Sequence, residues 1–84
     1  MSTLERLQAL LQKDFGLPPE RLVREARLED LEIDSLRMIE ILFAVEDEFA
    51  ISMPQDQGEI RGRVKTLGDL AGLVDEVVAA KAGG

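Results

Sequence analysis

The sequence predicts an all-α fold: a small four-helix bundle with three main helices and a short third one. Three observations lead there. Apolar residues recur at helical spacing in three separate segments. Capping residues open these segments, and glycine or proline closes them. The chain has 84 residues, enough for one small domain (residues 1–84) with a modest core and simple, local connections.

Residues 3–15, TLERLQALLQKDF, place Leu4, Leu7, Leu11 and Phe15 at helical spacing, with Leu10 beside them. Ser2 or Thr3 caps the start, and Gly16 with Pro18-Pro19 ends this first helix. Residues 16–34 hold two prolines and no sustained period. They read as a long loop, a feature that is unusual in compact domains unless functional. Leu22, Val23, Ala26, Leu28, Leu31 and Ile33 are its apolar anchors over the core.

Residues 35–50, SLRMIEILFAVEDEFA, form the strongest helix signal. Counted at about 100° per residue from Leu36, Met38, Ile41, Leu42, Val45 and Phe49 fall within about 140–240°, one stripe facing the core. Leu36, Ile39 and Phe43 fall at about 300–360°, a second apolar strip edged by Glu40, Glu46 and Asp47. Pro54 ends the segment that follows. Ile60 and Val64 stand four apart, which suits a short third helix. Thr66 and Asp69 then resemble a capping box, with Asp for the usual Glu. Leu67, Leu70, Ala71, Val74, Val77 and Val78 line one face of a last helix that runs to about residue 81.

Composition closes off whole classes of chemistry. The chain has no cysteine and no histidine. It therefore lacks the usual general base, the commonest metal ligand and any thiol of its own, and no metal site is expected. Seventeen acidic residues against ten basic ones give a net charge of −7, which disfavours nucleic acid and favours basic partners. The first residues do not follow a signal-peptide pattern, and no apolar run approaches the roughly 20 residues of a membrane span. A cytoplasmic monomer is expected.

The segment LEIDSL, residues 31–36, delivers Asp34 and Ser35 to the start of the strongest helix. On local grounds Asp34 is an N-cap, accepting from backbone N–H groups. The wider pattern says more. The Asp-Ser-Leu triplet, the helix SLRMIEILFAVEDEF, the Ile/Met-Pro after it and the closing TLGDL resemble the acyl carrier proteins over nearly the full length. That resemblance implies that Ser35 bears a 4′-phosphopantetheine arm whose thiol holds acyl cargo as a thioester. A cofactor thiol suits a chain without cysteine. No base stands near Ser35, so a separate phosphopantetheinyl transferase is the implied partner. Asp34 then has two compatible roles, capping the helix and guiding that transferase.

The resemblance further implies a docking face for acyl-transferring or acyl-modifying enzymes with basic patches. Leu36, Arg37, Ile39, Glu40, Phe43 and Asp47 are its candidate residues, Leu36 also being able to fill core space. Met38, Leu42, Val45, Val64 and Leu67 are candidates to line a space for the acyl chain between helices. The resemblance implies a carrier and not an enzyme, serving fatty-acid, polyketide or specialised lipid chemistry. An aminoacyl or peptidyl carrier of a nonribosomal pathway, or an unmodified structural adaptor, are the alternatives.

Three features depart from the family pattern. Glu32 stands where a glycine is common, so the loop is expected to manage without glycine's freedom there. Arg37 puts a positive charge in the first turn of the helix, against its dipole. The stretch from Pro54 to Thr66 is longer than usual and gathers Arg61, Arg63 and Lys65. Together they suggest a specialised pathway.

Overall fold

The computed structural model describes residues 2–53 and 57–83; Pro54 and the side chain of Arg61 lie outside what is described. Among the described residues four α-helices appear in chain order: α1 (Thr3–Phe15), α2 (Ser35–Phe49), α3 (Gln57–Arg63) and α4 (Leu67–Gly83). Helix α1 packs against both α2 and α4. The buried cluster draws on all four helices and on the long first loop.

Ser2, one of the two residues the sequence offers as a cap, takes that place. Its hydroxyl accepts from Glu5 N–H at 3.1 Å, and Glu5 Oε1 accepts from Ser2 N–H at 2.9 Å, a reciprocal capping box. Thr3 instead donates its hydroxyl to Asp75 Oδ1 on α4, joining the first helix to the last. At the other end Gly16 adopts φ 67°, where a side chain is costly, and turns the chain out of the helix.

The long loop is more regular than its sequence suggests. It contains two short 3-10 turns, Pro19–Arg21 and Leu28–Leu31. Leu22, Leu28 and Leu31 bury their side chains, Ala26 and Ile33 pack partly, but Val23 is exposed and anchors nothing. The end of the loop is stitched to the segment between α3 and α4. Leu28 N–H donates to Lys65 C=O at 3.0 Å, Leu67 N–H to Ala26 C=O at 2.9 Å, and Gly68 N–H to Arg24 C=O at 2.8 Å. Arg27 and Thr66 form an antiparallel bridge at its centre. The close approach requires glycine at 68, since a Cβ there would meet Arg24 Cγ at 2.5 Å.

The stripe of α2 behaves as its spacing predicts: Met38, Ile41, Leu42 and Val45 are buried, and Phe49 packs partly. The ring of Phe49 also lies 4.1 Å from the Arg6 guanidinium, a cation–π contact. Helix α4 differs from the sequence reading in two ways. Leu73 is buried, whereas Val78, expected on the inner face, is exposed. The helix also continues past residue 81 to Gly83. Val78 belongs to the exposed last turns, beyond the span that the core covers.

Candidate functional site

The entry to α2 is built by a chain of local constraints. The 3-10 turn Leu28–Leu31 is closed by Glu32, at φ 60° and ψ 33°. Where the sequence suggests doing without glycine's freedom, the backbone adopts the left-handed conformation anyway, and a glutamate bears it. Ile33 N–H donates to Leu28 C=O at 3.1 Å, and the chain then enters α2 through Asp34. Asp34 is the N-cap: its Oδ1 accepts from Arg37 N–H at 2.8 Å, and its C=O from Met38 N–H at 2.8 Å. Ser35 follows as the first helical residue and is half-buried. Helix geometry leaves the amides of the first turn without intrahelical acceptors, so this end attracts anions.

Ser35 and Asp34 stand at the edge of a cleft of about 390 Å³. Leu28, Ile33, Met38 and Val64 give it apolar lining, and Arg27, Glu29 and Lys65 give it charge. Of the five residues proposed to line a space for cargo, Met38 and Val64 face this cleft. Leu42, Val45 and Leu67 do not; they remain in the buried core. The backbone of Lys65 is fixed by Asp69, whose Oδ2 accepts from Lys65 N–H and Thr66 N–H, each at 3.1 Å. Those backbone bonds, Lys65 first, hold the Asp69 carboxyl below its ordinary range. The Asp69 N–H donates back to Thr66 Oγ1 at 3.1 Å, completing the capping box.

The second apolar strip of α2 is open to solvent. Leu36 is 66% exposed, Phe43 64% and Ile39 36%, and Glu40 and Asp47 are exposed beside them. Leu36 therefore fills no core space. Arg37 is placed differently from the strip. Its guanidinium lies 5.7 Å from the centre of the Phe15 ring. The two residues share a recess of about 140 Å³ with Leu17, Leu31, Glu32 and Ile33. The charge thus leans toward the end of α1.

Sequence reasoning did not assign Arg27, Leu28, Glu29, Ile33 and Lys65 to the cleft. Their meeting depends on a bridge between two loop segments far apart in the chain, which leaves no periodic signal. The cluster of cations ending in Lys65 was the one available hint.

The Ser35 hydroxyl thus stands in the first turn of α2 beside a part-apolar cleft. Residues 5–74 match the family described as "Phosphopantetheine attachment site". The chain is 35% identical over 78 residues to an acyl carrier protein of Thermosynechococcus vestitus, covering 92% of this chain and 93% of that one. It is 37% identical over 75 residues to the acyl carrier protein of Zymomonas mobilis, covering 88% and 92%. An acyl carrier protein of Saccharopolyspora erythraea is 37% identical over 76 residues, 89% of this chain and 77% of the other. The chain belongs to the acyl carrier protein family, whose cofactor is 4′-phosphopantetheine. The residues suit that group: Ser35 offers a reachable oxygen, the start of α2 suits a phosphodiester, and the cleft offers lining beyond it.

Proposed function

We propose that Ser35 is the residue that bears the phosphopantetheine, and that residues 1–84 act as one carrier domain built on a four-helix bundle. The observation that carries this is the position of the Ser35 hydroxyl, first in α2, behind the Asp34 cap and at the edge of the cleft. The bound cofactor supplies a thiol that holds an acyl group as a thioester, which this cysteine-free chain lacks. In loading, Ser35 Oγ forms a new bond to phosphorus and the pyrophosphate bond of coenzyme A breaks. Adenosine bisphosphate departs, and the serine proton passes to a base on the transferase.

The other residues bind and present. Asp34 orders the first turn of α2 and offers a carboxylate for the transferase to recognise. Leu36, Ile39 and Phe43 form a small apolar contact surface, and Glu40 and Asp47 steer basic partner enzymes onto it. Met38 and Val64 line the space next to the arm. Partners are thus a phosphopantetheinyl transferase and enzymes of fatty-acid, polyketide or specialised lipid chemistry. The chain acts as a carrier and not a catalyst. Intact mass spectrometry after incubation with coenzyme A and a broad-specificity transferase tests this. A gain of one phosphopantetheinyl group per chain is expected; an unchanged mass would reject it.

A further inference from the structure

The two basic side chains of the cleft have no part in the reading above. Arg27 and Lys65 come from the two segments joined by the Arg27–Thr66 bridge and the Leu28 N–H to Lys65 C=O bond. Both side chains line the cleft beside Ser35. Their local neutralisation is incomplete. The Arg27 guanidinium lies 3.6 Å from Glu29 Oε1, with both side chains largely exposed, beyond hydrogen-bond reach and weak in water. The Lys65 ammonium makes no ion pair among the described residues. The remaining carboxylate of the cleft, Asp34, is engaged by Arg37 N–H. In a chain of net charge −7, two under-neutralised cations share a cleft with Ser35 and four apolar residues.

We propose that Arg27 and Lys65 form an oxyanion-binding lip on this cleft, resting on the reading of Ser35 as the attachment residue. The ligand is an anionic group carried by the arm. Two sources share that chemistry: the terminal carboxylate of a short dicarboxylic acyl group, whose methylenes lie along Leu28, Ile33, Met38 and Val64, or the phosphodiester of the arm itself. A guanidinium and an ammonium both donate charge-assisted hydrogen bonds to such oxygens. Tethering at Ser35 gives the anion a high effective concentration at the lip.

The test uses wild type and the double variant Arg27→Gln, Lys65→Gln. Each is loaded by a broad-specificity transferase from coenzyme A, succinyl-coenzyme A or butyryl-coenzyme A, with loading verified by intact mass. Succinyl and butyryl groups have the same number of carbons and differ in the carboxylate. Thermal unfolding is then followed for the apo, holo and two acyl forms at low salt. The wild-type succinyl form should melt about 2–4 °C above the butyryl form. The gap should vanish in the double variant and in about 0.5 M salt. The apo forms should melt alike, because both side chains are exposed. A rise from apo to holo that the variant removes, with equal succinyl and butyryl forms, assigns the lip to the phosphodiester. Identical responses of wild type and variant in every loaded form overturn the lip. The salt dependence of the wild-type gap decides the matter even if the variant folds poorly: a salt-independent gap also overturns it. If wild type gains no mass at all, the attachment reading fails first, and the lip with it.

Discussion

Among the described residues two that are not glycine, Glu32 at φ 60° and Ala50 at φ 55°, bear left-handed backbone conformations better suited to glycine. Glu32→Gly should stabilise the fold by about 0.5 kcal/mol, the relief of strain being partly offset by the greater freedom of the unfolded chain. Differential scanning calorimetry should show a melting temperature about 2–4 °C higher. No rise would mean that the turn before Asp34 is unstrained. The neighbouring Asp34 has two roles that one substitution separates. Asn caps a helix about as well as Asp, so Asp34→Asn should leave the melting temperature within about 1 °C while slowing the transferase. Loading at the wild-type rate would confine Asp34 to capping.

Among the elements, the helices were largely legible because their signals are local. Leu4, Leu7, Leu11 and Phe15 keep the helical period, and Ser2 and Gly16 mark the two ends of α1. The inner stripe of α2 and the capping box of α4 follow from the same short-range chemistry. The cleft was less legible. Met38 and Val64 face it, but Arg27, Glu29 and Lys65 arrive through a bridge between distant loops. The left-handed Glu32 carries no glycine to announce it. Val78 follows the period of α4 yet is exposed. At this scale Asp69 ties the bridge to α4, and its carboxyl titrates below the ordinary value of 3.8 because Lys65 N–H and then Thr66 N–H donate to it. A carboxylate with a depressed folded-state pKa contributes stability above its unfolded pKa and loses it as pH falls through the folded one. Asp69→Asn should therefore melt lower than wild type at neutral pH, and the gap should close in acid, below the ordinary carboxylate range. A gap constant with pH would place the effect in packing and not in charge.

For the whole molecule, the exposed strip of α2 is the feature that a small independent bundle does not need. Phe43, 64% exposed, contributes little to the core, so Phe43→Ala should unfold like wild type while binding partner enzymes more weakly. Glu40→Lys should slow association with a basic partner several-fold at low salt, and the difference should shrink as salt rises. Surface plasmon resonance with one acyl-transferring enzyme measures both. Wild-type association by both variants would remove the strip from the docking surface. Arg37, turned toward Phe15, leaves that strip to its acids and apolar residues.

Of the oxygens of this chain, Ser35 Oγ is the one proposed to take the phosphopantetheine. Five residues carry an aliphatic hydroxyl: Ser2, Thr3, Ser35, Ser52 and Thr66. Fragmentation of the loaded chain in the mass spectrometer locates the added group among them, with Ser35→Ala treated in parallel. All of the added mass should lie on Ser35, and the Ser35→Ala variant should stay helical and unloaded. An arm found on Ser2, Thr3, Ser52 or Thr66, or on the Ser35→Ala variant, would contradict it.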